Sequence, residues 1–295
     1  LKPAPFEYSA PESLEAALEL LREHGDDAKL LAGGQSLIPV MNFRLAQPAM
    51  LIDLNGLGEL DYIRRDENGG LRIGALTRMS RLEREAELGR VAPLLAEAIP
   101  FIAHPQIRNR STFGGTLSHA DPAAEAPAVC VAGDARFRLA RAGAERWVAA
   151  GDFFRGLFET ELAADEILVE IELAPPPAGT GTSFQEIARR HGDYAMAGVA
   201  ASVRLAADGR IESARLVYLS VGDQPVDAGD AAALLAGEAP SAALFAAAAE
   251  EAATRAIEPA GTIHATPDFI RHLVAVLTRR ALTVAAQRAT AERPS

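Results

Sequence analysis

An α+β fold in two parts is what this sequence predicts, and three observations carry that reading. Residues 9–54 alternate helix-like and strand-like runs around a glycine turn. A proline-rich break, Ala174-Pro175-Pro176-Pro177, follows a strand-like run and leads into Ala-Gly-Thr-Gly-Thr. After the break come three strand-like runs and then alanine-rich helical stretches, the order expected of a small antiparallel sheet with a helical cluster. At 295 residues the chain has room for two domains, with about half its residues apolar and able to form real cores.

The elements follow in order. Ser9 and Glu12 have capping-box spacing, and Leu14, Ala17, Leu18 and Leu21 share one helical face that Gly25 ends. Ala28 to Ala32 reads as a strand. A helix can start at Ser36, with Pro39 tolerated in its first turn, and residues 50–54 form the next strand. "GGLRIGALTRMSRLEREAELG" predicts a strand and an amphipathic helix, and "VAPLLAEAIPFI" another helix. Residues 104–140 predict a long irregular part, a helix from Asp121 and a strand near Ala135. Residues 166–173 predict a strand before the prolines. Beyond the break, strands are expected over 183–189, 197–206 and 211–221, with Asp208-Gly209 as a hairpin turn, then helices over 229–236, 241–257 and 267–290.

Composition excludes several functions. The formal charge of -11, with no long basic run, argues against nucleic-acid binding. No apolar run approaches the ~20 residues of a membrane span, and the N-terminal residues lack a signal-peptide layout. The lone Cys130 cannot build an iron–sulfur or thiolate zinc site, and in its Ala/Val-rich stretch it reads as a buried structural thiol. The six histidines show no metal-ligand spacing, so no metal site is expected. Redox chemistry here would need an organic cofactor.

Two glycine segments stand out. Ala32-Gly33-Gly34-Gln35-Ser36 follows a strand, and Thr112-Phe113-Gly114-Gly115-Thr116 lies some 80 residues later. Glycine lets backbone N–H groups converge on an anion, and the hydroxyls of Ser36, Thr112, Thr116 and Ser118 add donors. Neither segment has the Rossmann or P-loop pattern. Together they suit a diphosphate held from two sides.

These segments, with "LIPVMNFRLAQPAMLIDLN", "AHPQIRNRSTFGGTLSHADPAAEAPAV" and "GDYA" at 192–195, resemble the flavin-binding medium subunits of the molybdenum hydroxylases (the xanthine dehydrogenase and carbon monoxide dehydrogenase family). The look is nearest to carbon monoxide dehydrogenase medium subunits, and the resemblance covers nearly the whole chain. It implies a two-subdomain FAD-binding domain over 1–177, split at about 54/55, and an α+β domain over 183–295. It implies FAD on this chain, contacted by Ala32, Gly33, Gly34, Gln35 and Ser36 on one side and Thr112, Phe113, Gly114, Gly115 and Thr116 on the other. Asp121 would meet the ribityl hydroxyls, Tyr194 would lie against the ring, and Leu76 and Leu168 would make apolar contacts. Gln35 stands where the family usually has His, Phe113 where it has Ile, and Thr116 where it has Asn.

The implied role is electron transfer inside a cytoplasmic hetro-oligomeric oxidoreductase that can sit at the inner face of the membrane through its complex. Electrons would come from [2Fe-2S] clusters on a small partner subunit, fed by a molybdenum cofactor on a large one. No catalytic acid, base or nucleophile is assigned to this chain. The alternatives are a self-contained NAD(P)H-dependent flavin oxidoreductase and a non-enzymatic nucleotide-binding protein. With one cysteine, the chain cannot carry the added cluster of the thioester-reducing branch.

Overall fold

The computed structural model describes residues 1–291, so the last four residues of the domain expected to reach 295 lie outside the described residues. The first run forms a small parallel sheet of β1 (Glu7–Ser9), β2 (Ala28–Leu31) and β3 (Met50–Asp53), in the order β1-β3-β2. The helix Leu14–His24 buries Ala17, Leu18 and Leu21, and it stops at Gly25, whose φ of 51° and N–H bond to the Leu21 carbonyl close the last turn. Its cap differs from the expectation. Ser13, not Ser9, accepts from the Ala16 N–H at 3.2 Å, because Ser9 is drawn into the ladder with β3.

The second sheet holds β4 (Ile63–Arg65), β5 (Leu71–Gly74), β6 (Arg136–Arg141) and β7 (Ala144–Ala149). A separate pair, β8 (Phe154–Gly156) and β9 (Glu159–Thr160), precedes β10 (Ile167–Leu173). The order is β4-β5-β10-β6-β7, with β10 central and antiparallel to both neighbours. Ile167 and Val169 join the core of the parallel sheet, whereas Leu168, Ile171 and Leu173 join the core under the helices, so β10 links two apolar clusters.

The amphipathic helix expected after β5 is instead two short helices, Met79–Leu82 and Leu88–Val91. Met79 and Leu88 are both buried, yet nine residues is about two and a half turns, which would put them on opposite faces of one helix. The helix expected from Asp121 begins at Glu125 and runs to Ala132. Asp121 caps a turn before it, accepting from the Ala123 N–H at 2.9 Å. The part expected to be irregular contains a helix, Phe113–His119, with Thr112 as its N-cap.

Beyond the prolines, β11 (Thr180–Ala188), β12 (Ala195–Leu205), β13 (Ile211–Leu219) and β14 (Val226–Asp227) form an antiparallel sheet in chain order. Asp208 and Gly209 make the turn between β12 and β13, with Gly209 at φ 85°. Val199, Ala201, Val203 and Tyr218 pack under the helix Pro267–Ala291, where the buried Tyr218 hydroxyl meets Thr278 Oγ1 at 2.7 Å. The opposite face carries Phe184, Ala200, Val217 and Leu219 into the core of the first domain. The helices expected over 229–236 and 241–257 are shorter, Gly229–Ala233 and Ala242–Glu251, the latter continued by a wider π turn.

Candidate functional site

A cavity of about 730 Å³ lies between the parallel sheet and the five-stranded sheet, and both glycine segments border it. The first leaves β2 at Leu31 and turns at Gly34, whose φ of 71° few side chains tolerate. Ile38 and Val40 donate their N–H groups back to the Gly34 and Ser36 carbonyls, starting the helix Leu37–Asn42. Among the described residues, the N–H groups of Gly34, Gln35 and Ser36 have no partner within the protein, and the Ser36 hydroxyl makes no cap bond. The Gln35 side chain folds back, with Nε2 donating to the Gly33 carbonyl at 3.1 Å.

The second segment is built differently. Its N–H groups are largely used inside the protein. Phe113 donates to Thr77 O, Gly114 to Ala75 O, Gly115 to Thr112 Oγ1 and Thr116 to Thr112 O. The Thr116 hydroxyl also donates to Thr112 O, at 3.1 Å. Two nearby hydroxyls make no hydrogen bond within the protein, Ser111 Oγ, which is buried, and Ser118 Oγ, and both residues border the cavity. The two segments touch backbone to backbone. A Cβ on Gly33 would come 2.4 Å from the Arg110 carbonyl and 2.7 Å from Ser111 Cα.

Two polar residues that sequence reasoning missed tie this junction. Asn55 Nδ2 donates to Ala32 O at 2.8 Å, and Arg78 Nη2 donates to Asn55 Oδ1 at 2.6 Å. Arg78 Nη1 donates to Arg110 O, so the guanidinium holds the lead-in to the second segment directly and the first segment through Asn55. Burial and the neighbouring Arg110 hold the Arg78 pKa below its usual range. A buried Arg108 supports the approach to the second segment through Glu83, at 2.9 and 3.0 Å, and the Ile102 carbonyl, at 3.0 Å.

Ala32, Gly33, Gly34, Gln35, Ser36, Leu76, Thr112, Gly114, Gly115, Thr116 and Leu168 all border the cavity. Three predicted residues do not. Phe113 is fully buried in the first-domain core, because it is the first apolar residue of a helix packed inward. Asp121 is spent partly on its turn, and Tyr194 stands 71% exposed on the connector after β11. Asp121 lies near His119, which borders the cavity and packs 5.0 Å from the Phe158 ring. Burial holds His119 below its ordinary range, against the pull of Asp121.

The cavity suits a partly apolar guest with an anionic group at the first segment. Leu76 and Leu168 offer apolar wall, the free N–H groups of the first segment and Ser111 Oγ offer donors, and Lys29 is the one cation bordering it among the described residues. Among the described residues no cluster of ligands fit for a metal ion is found.

The family model described as the FAD binding domain in molybdopterin dehydrogenase matches residues 4–176, and that of the CO dehydrogenase flavoprotein C-terminal domain matches 182–285. The 6-hydroxypseudooxynicotine dehydrogenase complex subunit alpha of Paenarthrobacter nicotinovorans is 38% identical over 98% of this chain and 97% of its own length. Among solved structures, a chain of carbon monoxide dehydrogenase from Hydrogenophaga pseudoflava superposes with a TM-score of 0.94 at 38% identity, covering 98% of this chain and 99% of that one. A chain of quinoline 2-oxidoreductase from Pseudomonas putida 86 gives 0.92 at 35% identity, over 98% and 99%.

Proposed function

The chain belongs to the FAD-binding medium subunits of the molybdenum hydroxylase family, and from that premise we propose that it relays electrons between a partner's iron–sulfur clusters and an external acceptor. It is a flavoprotein subunit of an oxidoreductase. Bound FAD supplies a carrier that takes up and gives back two electrons, which no side chain of this protein can do.

The chain's own part is to bind, orient and shield. The observation that supports this reading best is the set of unpartnered donors at the cavity, the N–H groups of Gly34, Gln35 and Ser36. In this reading the first segment holds the pyrophosphate with backbone donors, and the second contributes shape and hydroxyls. Lys29 offsets charge at the mouth, and Leu76 and Leu168 line the apolar part. Tyr194 and Asp121 sit at the ring end, where Tyr194 covers the cofactor from the side of the second domain. Residues 1–177 form the FAD-binding domain, with subdomains meeting near 54/55 at the cavity, and the second domain starts near 183.

The partners we assign are an iron–sulfur small subunit and a molybdopterin large subunit in a cytoplasmic complex. No helix of the described residues is long and apolar enough to cross a membrane. The relatives' names include 6-hydroxypseudooxynicotine, carbon monoxide and quinoline. In this reading the substrate is chosen on the large subunit, away from this chain.

The test is reconstitution of the isolated chain with FAD, followed by reduction. Bleaching by a low-potential one-electron donor, with slow reduction by NADH, is the expected result. Rapid reduction by NADH alone would overturn the relay role, and failure to bind FAD would overturn the whole reading. Tyr194→Ala should shift the bound flavin's absorbance and leave folding unchanged; an identical spectrum would remove Tyr194 from the site.

A further inference from the structure

A second cavity, of about 530 Å³, lies at the junction of the two domains and shares no lining residue with the cofactor cavity. Its first-domain wall is apolar. Leu94 and Leu95 come from the helix Pro93–Ala98, Val129 from the helix Glu125–Ala132 and Leu173 from the end of β10. The other wall is one face of the second-domain sheet. Register pairs Thr180 with Arg204 and Thr182 with Ser202, then Ser202 with Arg215 and Arg204 with Ser213. These six side chains therefore lie on one side of β11, β12 and β13, and all six residues border the cavity. Further along the strands the same face turns apolar at Phe184, Ala200 and Val217, which pack on the first-domain core.

Among the described residues, three polar atoms of this wall are buried with no hydrogen-bond partner: Thr180 Oγ1, Arg204 Nε and Arg215 Nε. Thr180 is 8% exposed, whereas Thr182 on the same strand gives its hydroxyl to Glu97 at 3.2 Å. Buried donors left unmade are costly, and here they fall on three strands around one cavity. The two arginines differ in what they have left. Arg215 pairs through Nη1 with Asp134 and through Nη2 with Asp227. Arg204 pairs through Nη1 with Glu212 at 3.1 Å, and among the described residues its Nε–Nη2 edge meets no acceptor. Such an edge grips a carboxylate with two parallel bonds. The side chains of Arg204 and Glu212 are 38% and 47% exposed, so turning the guanidinium toward a guest costs little. The charged residues bordering the cavity are two arginines and Asp134, a positive balance in a chain of formal charge -11.

We propose that this junction cavity binds a small organic carboxylate with an apolar body, such as an aromatic acid. The carboxylate sits on the Nε–Nη2 edge of Arg204 with Thr180 Oγ1 as a further donor, and the body lies against Leu94, Leu95, Val129 and Leu173. A bare inorganic anion would leave the apolar wall wet, and a neutral apolar molecule would leave the donors unmade, so both halves of the ligand are needed. Cavities of about 300–1,000 Å³ hold molecules of this class. The guest touches both domains, so it holds the second-domain sheet to the first domain without entering the cofactor cavity. The site is independent of the FAD reading above.

Calorimetric titration of the full chain with benzoate tests this, with benzamide as the neutral analogue of the same shape and acetate as a carboxylate without the apolar body. Benzoate should bind saturably and raise the midpoint of thermal unfolding. Benzamide and acetate should bind weaker by roughly tenfold or more, and Arg204→Gln should bring benzoate down to the level of benzamide. Thr180→Val is the second variant. It removes a buried hydroxyl that has no partner, so the ligand-free chain should be at least as stable in urea while benzoate affinity falls. Benzoate binding that is unchanged by added FAD supports a separate site. The proposal is overturned if the unaltered chain does not bind benzoate, if benzamide binds equally well, or if both variants bind benzoate as the unaltered chain does. Displacement of benzoate by FAD overturns it too, since that places the acid in the cofactor cavity.

Discussion

Replacing Gly33 with alanine tests the meeting of the two glycine segments. The added methyl would lie 2.4 Å from the Arg110 carbonyl, about 1 Å inside ordinary contact, with Ser111 Cα at 2.7 Å behind it. Both obstacles are backbone, and the Arg110 carbonyl is itself held by Arg78, so neither can swing aside. The segments must separate by several tenths of an ångström at least. Overpacking of this kind costs about 1–3 kcal/mol. If most of that falls on the cavity, FAD affinity drops by roughly 10- to 100-fold, since ~1.4 kcal/mol is a factor of ten. Quenching of flavin fluorescence on titrating FAD into cofactor-stripped chain reads this directly. Gly89→Ala is the control, because nothing lies within 4 Å of its added Cβ. A folded Gly33→Ala chain that binds FAD within twofold of the unaltered one would refute the account.

Three further outcomes are expected. Arg108→Met leaves Glu83 without its partner and should lower unfolding free energy by about 3 kcal/mol, the low end for a buried pair because Glu83 is a third exposed, with Glu83→Gln recovering part of it in urea denaturation. Stability should fall as pH rises from about 5 to 8. Glu125 and Glu186 have folded pKa values above their unfolded value of 4.5, so the folded chain binds more protons in that window and the contribution present below it is lost above it. At ~1.4 kcal/mol per pH unit, rises from 4.5 to about 7 and about 8 set an upper bound on the loss of about 8 kcal/mol, and Glu186→Gln should flatten the profile of urea midpoint against pH. Cys130 is buried and its thiol is pushed well up by burial, so a thiol reagent at pH about 8 should leave the folded chain unmodified and label one site after denaturation.

The parts legible in the sequence were those governed by local period. The helix 14–24, the strands β2, β3, β5, β6 and β10 to β13 and the Asp208-Gly209 turn follow from apolar spacing and turn chemistry, and their bounds moved by only a few residues, whereas the short strands β1, β4, β8, β9 and β14 and the polar β7 carry too little apolar pattern to be read. The helix Phe113–His119 was hidden because two glycines in its first turn lower helix propensity. It forms because Thr112 caps it and Phe113 and Leu117 are buried. That difference alters the site. The two glycine pairs look alike in the sequence, yet one leaves its N–H groups free and the other spends them on Ala75, Thr77 and Thr112. Asn55 and Arg78 were not foreseeable, since each is one polar residue in a loop and its partners are 23 and 32 residues away.

The central place of β10 sets an order on folding. β5 and β6 never pair with each other; each hydrogen-bonds to β10, which is made after both of them. While the chain is being synthesised, the β4–β5 and β6–β7 hairpins are two unfinished pieces with bare inner edges until Leu173 has emerged. Closing the sheet then joins strands about a hundred residues apart, a long-range step that is slow compared with helix formation. A chain cut between Thr160 and Ile167 would lose the strand that holds both hairpins, and its open edges would invite pairing with other copies.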